Sequence, residues 1–463
     1  GSLTTTGAGA DIALTTGTTS GNVTLSGDVT SADDLTISTF AGGTVIQTAG
    51  TITADLELQG AAAVTLNSAT NDFGTVAADL DPGTVSLTDT NDVTVGIVGA
   101  ATGIATGGAN DGGNVTISAP NGRITVSNPI DTTTGAGGGG TLTGAITLDA
   151  TLTTGAGSIT LTGNDNGDDD LIVNADLTTG GALGLSASRD IIATATIQTT
   201  GAGSDITATA DNDNDGVGGL RVTTAGQINS ADAVTLTGSD LFADAGGAES
   251  VQIDSDGTTA QVLAAGDITI GPGTGAAAAT DVEVNGLVQS TGTGTTIAIT
   301  ANADVLFGVD GDVTRSDAGA SGLISVVSDQ FDATSTGGVI TMADGTIING
   351  GGGQVEVVAD GRMTLGQITT TDLINVGSTA ADVVDGGDTG GADLIASSLA
   401  LAGQTGAGTD ADSIETQVAT LSGQTDSGDF HVANTGDLTI DTVNLTSNVA
   451  VLLGTVTADG VQI

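Results

Sequence analysis

The sequence predicts an all-β fold built as a repetitive β-solenoid. Three observations lead there: hydrophobicity alternating with period two along the whole chain, turn signals at short regular intervals, and a near absence of helix-compatible windows. The alternation recurs as a triplet, apolar then Thr or Ser then apolar, closed by Gly, Asn or Asp. It stands at Val23-Thr24-Leu25, Val64-Thr65-Leu66, Val115-Thr116-Ile117, Ile159-Thr160-Leu161, Ile268-Thr269-Ile270 and Leu438-Thr439-Ile440, among others. Successive side chains of a strand face opposite ways, so each triplet sends two apolar groups inward and one hydroxyl outward.

The turn landmark is Thr-Thr-Gly, at Thr133-Thr134-Gly135, Thr153-Thr154-Gly155, Thr178-Thr179-Gly180 and Thr199-Thr200-Gly201. Its glycines lie 20, 25 and 21 residues apart, too short for a domain and suited to one coil of a solenoid. At ~22 residues per coil the chain makes roughly twenty rungs. With strands about 4.8 Å apart, that predicts one continuous solenoid over residues 1–463, on the order of 100 Å long. Ala276 to Thr280 is the one Ala-rich stretch, and flanking Gly limits it as a helix. Strands of about five residues also suit β-sandwich domains. The short spacing and the lack of a Pro-rich linker favour the solenoid, since Pro82, Pro120, Pro129 and Pro272 each sit beside turn formers.

Composition narrows the interior and the partners. The chain has six Phe but no Trp, Tyr or Cys, so Val, Ile, Leu and Ala must fill a narrow layered core, and no disulfide or thiolate metal site exists. Gly-rich acidic chains tend to disorder, but the mean hydropathy of +0.24 and the pervasive alternation supply enough apolar surface to offset chain entropy. The formal net charge is -50, from 55 acidic residues against five Arg. That potential repels nucleic acid and anionic lipid and attracts cations. No run of about twenty apolar residues is present, so no membrane insertion is expected. Gly1 at one end and the strand-like Val461-Gln462-Ile463 at the other read as cuts in a longer or processed chain.

Near the end of the chain stand Leu394-Ile395-Ala396-Ser397-Ser398-Leu399-Ala400-Leu401, Ile414-Glu415-Thr416, Val418-Ala419-Thr420-Leu421, Ser427-Gly428-Asp429-Phe430 and Asn434-Thr435-Gly436-Asp437-Leu438-Thr439-Ile440. This unit resembles one found in very large bacterial β-strand-repeat surface proteins, which are similar to filamentous haemagglutinins and autotransporter passengers. The resemblance covers about fifty residues closely and the rest of the chain loosely. It implies a right-handed parallel β-helix, secreted and held at the cell surface, acting as a stalk, adhesin or fibre. The secretion domain and membrane barrel of such proteins have no counterpart here, which again suggests a fragment.

An enzyme is not expected. Catalysis on a β-helix needs paired carboxylates or a base, usually beside aromatic platforms for sugar rings, and only carboxylates are plentiful. The one histidine, His431, reads as the outward residue of a strand with Phe430 and Val432 inward, and Arg189 and Arg315 read as members of weak surface pairs. The sharpest chemical signal is Asp211-Asn212-Asp213-Asn214-Asp215-Gly216. Asp211, Asp213 and Asp215 can converge on one hard cation such as calcium, the Gly permitting the bend, although Val222 stands where an EF-hand needs Glu. Gly163 to Asp170 is a second candidate. Outward Thr and Ser in stacked rungs suggest a flat hydroxyl array of the ice-binding kind. That array requires regular Thr-x-Thr in register, and the irregular rung lengths argue against it.

The expected function is therefore that of an extracellular structural protein, a surface rod or filament assembling head to tail through unpaired end rungs. The alternative is an adhesin that binds a cell-surface ligand through loops such as Gly137 to Gly144 or Gly386 to Asp393.

Overall fold

The computed structural model describes residues 1–443 apart from 18–20, 41, 81–82, 108–111, 134–136, 164–169, 241–248, 256, 258, 274–279, 320, 330–336 and 388–390. The Ala-rich stretch apart from Thr280, and all of Gly163 to Asp170 except its two end residues, fall outside these residues. The described residues form strands and no helix. They divide into two compact units, Gly1–Asp213 and Asn214–Ile463, and each is a parallel β-helix.

In the first unit each full rung contributes one strand to each of three sides. Leu171–Val173, Leu177–Thr179 and Leu183–Ser186 make one such rung. On one side Val64, Val85, Val115, Gly140, Ile159, Leu183 and Ile206 stack in register. A second side stacks Ile124, Ile146, Leu171 and Ile191, and the third stacks Ile130, Leu152, Leu177 and Ile197. The second unit repeats the plan, with Val234, Ile268, Ile297, Ile324, Val355 and Ile374 aligned on one of its sides. Like residues thus stack on like, and the core is a set of aliphatic columns: Leu142, Leu161, Leu171 and Leu177 are all 0 % exposed. Each such side chain contributes about 1.5–3 kcal/mol by leaving water.

Unequal rung lengths do not disturb this register. Val85, Val115, Gly140 and Ile159 are partners in succession although 30, 25 and 19 residues separate them, because the extra residues lie outside the strands stacked on this side. The one register shift between Val115–Val126 and Gly140–Leu148 falls after Ser118. A strand face buried on one side fixes its register strongly, since a one-residue slip would turn its apolar set outward.

Three expectations need correction. Thr-Thr-Gly marks strand ends more than turns: Thr153-Thr154 and Thr178-Thr179 close the strands Leu152–Thr154 and Leu177–Thr179, with the second Thr facing inward. Gly137 to Gly144 is no projecting loop, because its latter half opens the strand Gly140–Leu148. Arg315 is no surface residue but is 1 % exposed, at an inward position of Val313–Arg315.

The buried threonines have a clear role. Thr132, Thr154, Thr179 and Thr199 are at most 6 % exposed and form an inner column where each strand bends into a turn. A turn carbonyl that points inward there needs a donor. Thr132 donates to Gly138 O (2.9 Å) and Thr199 to Ser204 O (2.7 Å), while Thr154 and Thr179 both lie within bonding distance of Gly157 O.

One element departs from the parallel coil. Ile97–Val98 and Ala101–Thr102 form an antiparallel hairpin that turns at Gly99, whose φ of 56° suits glycine. It folds back so that Val98 and Ala101 cover Ala77. Glu57 Oε1 holds the hairpin by accepting from the amides of Ala100 (2.8 Å) and Ala101 (3.0 Å).

Candidate functional site

Carboxylates are the most abundant reactive groups, and many have a structural task. An Asp or Asn at or just before a strand start accepts the amide at the matching position of the next rung. In the first unit Asp28 takes Thr51 N (3.0 Å), Asn114 takes Gly139 N (2.9 Å) and Asp176 takes Thr196 N (3.1 Å). In the second, Asp267 takes Thr296 N (2.7 Å), Asp304 takes Val339 N (2.8 Å) and Asp312 takes Ile347 N (2.7 Å). Those to the aspartates are charge-assisted and stronger than neutral ones, and all of them tie successive rungs where the backbone ladder begins.

Three groups of carboxylates have oxygens within 4.8 Å of one another among the described residues. One is Asp211, Asp213 and Asp215. Asp211 is 4 % exposed with φ 54°, Asn214 has φ 59° and Gly216 φ 91°, and Asp215 Oδ1 accepts from Val217 N at 2.9 Å. The backbone therefore takes left-handed conformations on either side of Asp213, and these fold the alternate carboxylates toward each other. Three hard oxygen donors suit calcium in kind, although that ion takes six to eight oxygens.

Asp33, Asp34 and Asp55 form the second group, with Asp34 and Asp55 directly adjacent in register. Burial, then the charges of Asp33, Asp11, Asp55 and Glu57, push the Asp34 carboxyl up.

The third group, Asp385, Asp393 and Glu415, is the most enclosed. Asp393 is 3 % exposed and accepts from Glu415 N (2.9 Å). Burial first, then the charges of Asp385 and Glu415, push it up to about 8. Asp385 is raised as well, by burial and by Asp412 beside it. Asp385 Oδ2 and Glu415 Oε2 are buried and receive no hydrogen bond from a fixed donor. Carboxyls so crowded cannot all ionise, and sharing protons relieves them. Sequence reading missed this group, because stacking assembles it from residues eight and 22 positions apart.

The arginines bind across rungs instead of clamping anions. Arg189 makes a two-pronged contact to Asp170, with 2.7 Å to each oxygen, and Arg362 does the same to Asp382. Arg315 donates to the carbonyls of Gly350 and Ser321, both at 3.0 Å, so it does for its turns what threonine does elsewhere. Its partner Asp317 is 3.8 Å away. His431 lies just before the strand Val432–Asn434, not within one. It is half-buried, with Nδ1 3.3 Å from Asp410 and Nε2 3.8 Å from Asp429, and Phe430 beside it is also half-buried.

No protein-family model, curated protein or solved structure matches this chain.

Proposed function

We propose that the chain is an extracellular structural protein, a surface rod or filament that works through its solenoid shape and self-association. The observation that supports this reading is the parallel ladder itself: on one side of the first unit Val64, Val85, Val115, Gly140, Ile159, Leu183 and Ile206 pair rung upon rung in register. The end of any such ladder offers a full rung of backbone donors and acceptors. A matching rung, from more chain or from a second copy stacked head to tail, satisfies them, and stacking of unlike ends does not close into a ring.

The test is light scattering with electron microscopy of the isolated 463-residue chain over a range of salt. Thin fibres that lengthen with ionic strength are expected. A particle that stays monomeric at every salt concentration overturns self-association. A second reading, an adhesin, draws on the hairpin, where Ile97 is 62 % exposed on a chain that buries most of its large apolar residues. Imaging of native material separates the two, fibres favouring the first and single tethered rods the second.

A further inference from the structure

We propose that one face of the first unit binds ice. The strands Thr84–Thr88, Val115–Val126, Gly140–Leu148 and Ile159–Thr162 stack on one side of the coil. Their outward positions form two columns. Ser86, Thr116, Thr141 and Thr160 are successive partners in one, and Thr88, Ser118, Thr143 and Thr162 in the other. The columns are two residues apart along each strand, so hydroxyls repeat at ~6.7 Å one way and ~4.8 Å the other. This is a two-dimensional repeat close to that of water oxygens on faces of hexagonal ice. The irregular rung lengths that argue against such an array in the sequence leave no trace in its register.

Two further features fit this ligand. The first is charge: residues 84–88, 115–118, 140–143 and 159–162 contain no ionisable side chain, although the chain carries a formal -50. Charges organise water into their own shells and spoil a lattice match, and this face is free of them. The second is order. Threonine is stiff at χ1, and stacked neighbours hold it further, so the hydroxyl and methyl grid is set before water arrives. Among the described residues the hydroxyls of Thr116, Thr141, Thr143 and Thr162 make no hydrogen bond within the chain, which leaves them to solvent. In the second unit the stack that begins Thr235, Thr269 runs on through Ala298, Ser325 and Glu356, where the grid is broken.

The experiment follows the coarsening of polycrystalline ice, and the shape of single ice crystals, in the presence of the full chain. Retarded coarsening and faceted crystals are expected, both lost in the pair Thr143→Lys with Thr160→Lys and in the gentler pair Thr143→Val with Thr160→Val. Thr153→Lys, outward on another side of the coil, should keep the effect. Circular dichroism identifies any variant that has not folded, and the valine pair then decides. The proposal is overturned by coarsening no slower than with an unrelated protein of equal negative charge, or by equal loss in Thr153→Lys. Binding to crystalline cellulose at room temperature that the same lysines abolish, without any effect on ice, overturns it in favour of a polysaccharide ligand.

Discussion

Asp393 stands where an ionised carboxylate is hard to keep: 3 % exposed, with Asp385 and Glu415 against it and Asp412 behind Asp385. Its folded value of about 8 lies far above the ordinary 3.8. Between those values the folded chain keeps a proton that the unfolded chain has released, so stability falls as pH rises through that window. Asp89, pushed up to about 6 mainly by burial, acts in the same direction over a narrower range. Melting temperature should therefore drop between about pH 4 and pH 8. Asp393→Asn keeps an oxygen to accept from Glu415 N but has no charge to lose. The variant should melt higher than the parent at the alkaline end and show a flatter profile. A variant that melts lower at every pH, or keeps the parent's slope, contradicts this account. Asp393 was illegible in the sequence, whereas Asp211, Asp213 and Asp215 announced themselves through local spacing. Convergence within six residues depends on a turn, while convergence across rungs depends on a register that no local pattern prints.

At the level of the strand, period-two alternation told which residues face in, and the burial of Val115-Thr116-Ile117 and Ile159-Thr160-Leu161 follows it. Alternation did not tell where a polar residue faces in. Thr154 and Thr179 continue the inward parity of Leu152 and Leu177, but a hydroxyl prefers solvent unless a buried acceptor awaits it. The inward turn carbonyl that calls for it is visible only once the corner is built. The hairpin at Ile97–Val98 was hidden for a related reason, since its apolar residues cover the outer surface of another rung. The inner and outer threonines can be told apart by experiment. Thr179→Val keeps the shape but strips one of the two donors from Gly157 O, the acceptor from Gly181 N and the acceptor that Thr154 also reaches, and should cost about 1–3 kcal/mol. Thr160→Val, on the outer face, should stay within about 0.5 kcal/mol of the parent. Denaturant unfolding of both variants, with amide exchange at neighbouring rungs, measures the difference. Equal costs would show that the inner column is not held by its hydroxyls.

For the whole molecule the dominant fact is a formal charge of -50 with only five arginines. Stacking places like charges one rung apart, as Asp34 and Asp55 show, and about 4.8 Å is shorter than the Debye length of about 8 Å at physiological ionic strength. Repulsion between neighbouring rungs is thus poorly screened in dilute salt and well screened near 1 M, where the length is about 3 Å. The amide bonds that Asp28, Asp176, Asp267, Asp304 and Asp312 accept are direct contacts of 2.7 to 3.1 Å, two of them part-buried, so salt weakens them less than it weakens repulsion across a rung. The cross-rung pairs Arg189–Asp170 and Arg362–Asp382 lose strength in salt, but they are few. The balance favours screening: melting temperature should climb steadily as sodium chloride is raised from about 0.05 M to 1 M. Calcium should raise it further than sodium at equal ionic strength, because a divalent ion placed among crowded carboxylates opposes their repulsion directly. Thermal melts in the two salts, at matched ionic strength and fixed pH, measure both effects. A melting temperature that falls with sodium chloride would mean that the arginine pairs outweigh the stacked carboxylates. Equal curves for sodium and calcium would mean that the acidic groups act only through their mean field.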